Sequence, residues 1–107
     1  MATIPAIDVK ELQRRLDADG TKPYLLDVRE PWEYLAGHVP GAQLIPLGEL
    51  EQRVAEVPRD REVLAICHSG QRSLAAAGYL RQLGYTSVSN VDGGTAAWIE
   101  RGYPLEK

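Results

Sequence analysis

The feature that most constrains the fold is a repeated alternation of short apolar segments with segments of helical periodicity. Three segments, YLLDV (24–28), EVLAI (62–66) and TSVSNV (86–91), are predicted to be strands, and YLLDV has the length and composition of a buried one. Residues 9–20 and 73–83 instead carry apolar side chains at helical spacing. Strands that alternate with helices predict an α/β fold, with a mostly parallel central sheet and helices on both faces.

Shorter elements fill the intervals between these segments. They are a helix at 32–35, a short strand at AQLIPL (42–47), an amphipathic helix at 47–57 and a last helix at GGTAAWIERG (93–102). Asp8 is placed to cap the first helix, and Gly20 lies just beyond its expected end. The 107 residues contain no linker, repeat or low-complexity segment, so residues 1–107 are expected to form a single domain.

Composition and charge exclude several classes of function. The net charge is −3 and the basic residues are scattered, so we expect neither nucleic acid nor a membrane as a partner. No apolar run is long enough to span a bilayer, and the first residues do not resemble a secretory signal, which favours a cytoplasmic protein. A single cysteine excludes an internal disulfide and, with two distant histidines, predicts no metal site. No cofactor is expected.

Polar turns follow three of the predicted strands. They are residues 27–29, 67–72 and 92–94. Ligands of parallel α/β sheets bind beyond the carboxyl ends of the strands, where such turns converge. We therefore expect the functional site at this edge.

The turn that begins with Cys67 is the strongest candidate for chemistry. Its sequence, CHSGQRS (67–73), leads from a buried strand into a helix. Backbone N–H groups of such a loop can point inward and form an anion-binding nest, and Gly70 permits the positive φ that this requires. Together with the positive end of the helix, the nest favours the thiolate of Cys67. The predicted catalytic residue is Cys67, and the predicted substrate-binding residues are His68, Ser69, Gly70, Gln71, Arg72 and Ser73.

Purely structural interpretations of these residues stay open at this point. A lone cysteine after a strand is often a small buried apolar residue. Arg72 could be a solvated cation, and His68 and Gln71 could be exposed loop residues. A cation in the first turn of a helix opposes the helix dipole, however, so Arg72 is better placed if an anion binds nearby.

Three motifs together resemble the rhodanese domain family, of the single-domain thiosulfate sulfurtransferase type. They are DVREPWEYLAGHVPGA (27–42), the loop CHSGQRS (67–73) and VDGGTAAW (91–98) followed by Gly-Tyr-Pro. The resemblance implies that Cys67 takes sulfane sulfur from thiosulfate or a related persulfide donor and carries it as a persulfide. A thiol, cyanide or a sulfur-accepting protein would then receive it. Within the first motif, Asp27, Arg29 and His38 are interpreted as structural support of the site.

Two other functions are compatible with the same architecture. Phosphatases and arsenate reductases of similar fold have five residues between cysteine and arginine, whereas here four residues separate Cys67 from Arg72. The narrower loop favours a single sulfur atom over a tetrahedral oxyanion. A non-enzymatic sulfur carrier or interaction module is the second alternative. Because His68 and Gln71 stand where members active on thiosulfate often have basic residues, the preferred donor stays open.

Overall fold

A five-stranded parallel sheet forms the centre of the protein, in the order β1-β5-β4-β2-β3. A computed structural model describes residues 3–107. The strands are β1 (Ala6–Ile7), β2 (Tyr24–Asp27), β3 (Gln43–Leu44), β4 (Val63–Ile66) and β5 (Val88–Val91). Every pairing between these strands is parallel. The sheet confirms the predicted α/β fold.

Helices cover both faces of the sheet. They are α1 (Val9–Asp17), α2 (Pro31–Ala36), α3 (Leu50–Arg53), α4 (Gln71–Gln82) and α5 (Gly94–Glu100). Consecutive residues of a strand point to opposite faces, so Leu64 packs with α1 and α5 while Ala65 packs with α3 and α4. Both faces of β4 are therefore buried, which explains its uninterrupted apolar sequence.

Local structure departs from the sequence prediction in four places. The short strand β1 was not predicted; it pairs with β5 through Ala6 and Ile7. The predicted strand at 42–47 is reduced to β3. Residues 47–57 form α3 between two 3₁₀ turns, Leu47–Glu49 and Val54–Glu56, instead of one helix. Their apolar spacings of three, four and three residues suit 3₁₀ turns as well as an α-helix.

The first helix also ends earlier than its glycine predicted. α1 stops at Asp17, and Ala18 is already extended. Lys22 Nζ donates to the Leu16 carbonyl at 2.6 Å, which satisfies one of the last free carbonyls of the helix. Gly20 therefore lies in the turn that follows the helix rather than at its end. Asp8 caps the helix as predicted, because its carboxylate accepts from the Glu11 backbone N–H at 2.8 Å.

Candidate active site

The parallel register brings the polar turns together at the carboxyl edge of the sheet. Asp27 pairs with Ile66, so the chain leaves β2 and β4 side by side. The next strand, β5, then leads into the glycine pair Gly93–Gly94 and into α5. Cys67 follows directly after β4, at the centre of this edge. All three turns therefore lie at the same edge of the sheet.

The Cys67 sulfur lies inside a ring of hydrogen-bond donors. Its Sγ accepts from the Gly70 backbone N–H at 3.1 Å and from the Ser73 hydroxyl at 3.3 Å. Gly70 has φ +107°, a left-handed conformation in which the chain turns from this loop into α4. Cys67 has no exposed surface, while His68 and Ser69 next to it are exposed. The sulfur thus lies at the base of a short loop whose rim faces solvent.

These donors decide the ionisation of the thiol. Burial raises the pKa of Cys67, since an anion is less stable away from water. Hydrogen bonds from the Ser73 hydroxyl and from the backbone of Ser73, Gly70 and Ser69 act in the opposite direction and outweigh burial. The net result is a pKa below the ordinary value of a thiol. A lowered pKa gives more thiolate at neutral pH, which is the nucleophilic form.

The start of α5 fixes the loop from the other side. The Thr95 backbone N–H donates to the Cys67 carbonyl at 2.8 Å, and the Ala96 N–H donates to the His68 carbonyl at 2.9 Å. Gly94, with φ +57°, lies against the same two carbonyls, so that any side chain there would collide with the Cys67 carbonyl oxygen. The requirement for glycine at this position is thus a close approach of two backbone segments.

Asn90 on β5 is a further support that the sequence interpretation missed. Its Nδ2 donates to the Gly70 carbonyl at 3.1 Å and to Asp92 Oδ1 at 3.3 Å. Asn90 is only 3% exposed, so these contacts lie inside the protein. The available signal was an amide side chain inside a predicted strand that leads to the functional edge of the sheet. Asn90 holds the carbonyl of the residue whose N–H faces the Cys67 sulfur.

Arg72 does not extend toward the sulfur as an unpaired cation. Its two terminal nitrogens donate to both carboxylate oxygens of Glu33 on α2, at 2.7 and 3.0 Å. These hydrogen bonds, opposed by burial, lower the pKa of Glu33 to about 2. Glu33 also accepts from the Glu30 backbone N–H at 3.0 Å and so caps its own helix. The pair joins α2 to the first turn of α4.

The remaining candidates divide into the rim of the loop and the scaffold beneath it. His68, Ser69 and Gln71 are exposed on the rim, where a substrate could contact them. Asp27 and Arg29 are buried and bound to each other, with Arg29 Nη2 2.9 Å from Asp27 Oδ2. The same nitrogen donates to the Gly37 carbonyl at 2.9 Å. This ion pair joins the end of β2 to the loop that follows α2.

His38 lies in that same loop and contacts the scaffold. Its Nδ1 is 2.9 Å from the Tyr34 carbonyl, and its ring stacks on the Tyr34 ring with centroids 3.7 Å apart. The His38 backbone exchanges two hydrogen bonds with Glu106, at 2.9 and 2.8 Å. All of these contacts are with the protein's own scaffold.

Neither a metal cluster nor a membrane span is present in the part of the chain that the structure describes. Within residues 3–107, no group of three or more His, Cys, Asp or Glu side chains is arranged to hold a metal ion. None of the helices between these limits has the length and apolar character needed to cross a membrane.

Comparison with known proteins assigns the family. Residues 8–101 match the Rhodanese-like domain family. A protein named sulfurtransferase from Allochromatium vinosum is 41% identical over 99 residues, covering 92% of each chain. A rhodanese-related protein from Thermoplasma volcanium superposes with a TM-score of 0.86 at 36% identity, over 95% of this chain and 97% of that one. Thiosulfate sulfurtransferase from Pseudomonas aeruginosa superposes with a TM-score of 0.85 at 31% identity, over 96% of this chain and 20% of that one. The protein therefore belongs to the rhodanese-like domain family, which includes sulfurtransferases.

Proposed function

We propose that the protein transfers sulfane sulfur from thiosulfate or a related persulfide donor to a thiol or cyanide, with Cys67 as the nucleophile. The observation that carries the proposal is the buried Sγ of Cys67, which accepts hydrogen bonds from the Gly70 N–H and the Ser73 hydroxyl. These donors stabilise the negative charge of the Cys67 thiolate, which is the form that attacks the sulfur donor and that leaves when the sulfur is passed on.

The reaction consists of two half-reactions. The Cys67 thiolate attacks the outer sulfur of thiosulfate, the sulfur–sulfur bond of the donor breaks, and its electron pair leaves with sulfite. Cys67 then carries a persulfide anion. The acceptor, a thiolate or cyanide, attacks the terminal sulfur of that persulfide, and the electron pair returns to the Cys67 sulfur. Covalent catalysis of this kind predicts ping-pong kinetics.

The loop residues have distinct roles in this proposal. The Gly70 N–H and the Ser73 hydroxyl hold the anionic sulfur, and Asn90 and α5 keep the loop in shape. The exposed side chains of His68, Ser69 and Gln71 contact the donor and the acceptor at the rim. Asp27, Arg29 and His38 support the loop from the scaffold. The protein needs no cofactor in this scheme, and its cytoplasmic location stays a prediction.

Phosphatase chemistry is less compatible with this geometry. A tetrahedral oxyanion needs a wide loop and an arginine that is available to bind it. Here four residues separate Cys67 from Arg72, and both terminal nitrogens of Arg72 are bound to Glu33. The site favours a single sulfur atom.

Intact-mass measurement tests the proposal. After incubation with thiosulfate or glutathione persulfide, the wild-type protein should gain the mass of one sulfur atom, and cyanide should remove it as thiocyanate. Cys67→Ser should gain no sulfur and should show unchanged circular dichroism. Loading of the folded serine variant would contradict a covalent route through Cys67. Loading without steady-state turnover would instead indicate a sulfur carrier.

A further inference from the structure

The charge of the cysteine loop is already paired before any donor arrives. Arg72 is the only lysine or arginine in the sequence 67–73. Its fork-shaped contact with Glu33 uses both terminal nitrogens, which is the strongest geometry of an arginine–carboxylate pair. The Glu33 side chain is only 13% exposed and also accepts from the Glu30 N–H. The Arg72–Glu33 pair therefore has a fixed geometry, unlike an ion pair between two fully exposed side chains.

Other charges at this edge are predominantly negative. The hydrogen bonds to Glu33 raise the pKa of the Arg72 guanidinium most; burial opposes them, and the charges of Cys67 and, to a smaller extent, Glu30 raise it further. Asp92 follows β5 at the same edge and accepts from Asn90, which also holds the loop at Gly70. Arg29 is buried in its own pair with Asp27. A donor that carries two negative charges thus meets carboxylates and a thiolate, with the Arg72 charge neutralised.

We infer that Glu33 is a specificity-determining residue, which neutralises Arg72 and so favours sulfur donors of low negative charge, such as persulfides of thiols, over dianionic thiosulfate. The inference rests on the proposed sulfur transfer through Cys67 and specifies the donor class of that site. Glu33 acts through Arg72 and does not touch the reacting sulfur.

The physical basis is that a Coulomb interaction scales with the charge of the donor. When one negative charge is removed from the rim, the interaction free energy of a dianionic donor with the site improves by twice as much as that of a monoanionic donor. Thiosulfate and methanethiosulfonate form a suitable pair of probes. Each gives its outer sulfur to a thiolate, with sulfite or methanesulfinate as the leaving group, and the two donors differ by one charge.

The direct test is Glu33→Gln, assayed with both donors and cyanide as acceptor. Glutamine keeps the size of the side chain and an oxygen for the Glu30 N–H, but it releases the charge of Arg72. For a partly solvated charge roughly 8 Å from the donor, kcat/KM should rise about tenfold with thiosulfate and about threefold with methanethiosulfonate. Glu62→Gln is the matched control, because Glu62 also pairs with an arginine, Arg15, but precedes β4 at the opposite edge of the sheet. Glu62→Gln should change kcat/KM for neither thiosulfate nor methanethiosulfonate.

A second variant tests the pair as a unit. Arg72→Gln leaves Glu33 as an uncompensated carboxylate and should lower kcat/KM for thiosulfate more than for methanethiosulfonate. The double variant, Glu33→Gln with Arg72→Gln, should return the ratio of the two values to that of the wild type. A double variant that retained the selectivity of Arg72→Gln would overturn the inference, since the selectivity would then not depend on Glu33.

Salt dependence of the wild-type protein gives a test that needs no variant. Added potassium chloride screens the negative rim, so kcat/KM for thiosulfate should rise with salt and should rise more than that for methanethiosulfonate. A fall with salt, or equal changes of both donors in Glu33→Gln, would overturn the role of Glu33. If neither thiosulfate nor methanethiosulfonate loaded sulfur onto the wild-type protein, that result would instead contradict the proposed function.

Discussion

The contact between Gly94 and the cysteine loop predicts a large loss of stability in Gly94→Ala. A methyl group at this position would collide with the Cys67 carbonyl oxygen and would lie 2.6 Å from the His68 carbonyl oxygen. Both carbonyls are fixed by hydrogen bonds from the first turn of α5. The added methyl group would therefore meet the backbone of the cysteine loop, and neither this loop nor the start of α5 can move away without breaking these hydrogen bonds.

The magnitude follows from three contributions. A left-handed φ of +57° costs alanine about 1 kcal/mol relative to glycine. Overpacking adds about 1–3 kcal/mol, and partial loss of the two hydrogen bonds adds about 1 kcal/mol. We expect a total of about 3–5 kcal/mol, a large part of the stability of a typical domain. Gly102→Ala serves as the control, because Gly102 follows the same helix with φ +76° and no atom lies within 4 Å of the place that a methyl group would take. Gly102→Ala should therefore lose only the stability that a left-handed φ costs alanine, about 1 kcal/mol.

Urea unfolding monitored by tryptophan fluorescence measures both variants. The midpoint of Gly94→Ala should fall well below that of Gly102→Ala, with a similar slope. Iodoacetamide should also react with Cys67 at an altered rate in Gly94→Ala, since the loop must shift. Equal destabilisation of the two variants would refute the reasoning, because the contact with the cysteine loop would then contribute nothing.

Three further predictions concern the ion pairs and the thiol. Ser73→Ala removes a donor to the Cys67 sulfur and should raise the pKa of the thiol, seen as a shift to higher pH of the iodoacetamide rate profile; an unchanged profile would contradict this role. Asp27→Asn leaves Arg29 buried without its counter-charge and should cost about 3–5 kcal/mol in urea unfolding, whereas a loss below about 1 kcal/mol would argue against the buried pair. The pKa of Glu33 is lowered from 4.5 to about 2 in the folded protein, so its pairing stabilises the fold above pH 4.5 and this contribution is lost as the pH falls towards 2. The stability difference between wild type and Glu33→Gln should therefore narrow across that interval, and a constant difference would contradict the assignment.

The central strands could be predicted because burial on both faces leaves a local mark in the sequence. β2 and β4 fall inside apolar runs bounded by turn residues, and β5 falls inside the segment TSVSNV, which is rich in β-branched residues. β1 has no comparable pattern in the sequence, because it is only two residues long. Its two residues are a strand only because β5 offers a free edge, with Ala6 opposite Asn90. Secondary structure of that kind depends on a partner more than eighty residues away.

The same distinction between local and distant contacts applies to the site. The turn at Gly70 that faces the Cys67 sulfur is local, so the motif CHSGQRS predicted it. The partner of Arg72 was not predictable, because Glu33 is 39 residues away and reaches Arg72 only through the packing of α2. From the helix dipole alone, a bound anion was expected beside Arg72. The structure shows that a carboxylate of the protein itself occupies that position.

Complete burial of Cys67 has a consequence for oxidative damage. A disulfide between two copies requires two sulfur atoms to approach within about 2 Å, and a sulfur without exposed surface cannot meet another of its kind at that separation. A slender reagent that ends in a single sulfur or oxygen atom can enter where a second protein cannot. Hydrogen peroxide, which transfers one oxygen atom to a thiolate and leaves as water, should therefore give sulfenic acid at this cysteine rather than covalent dimers.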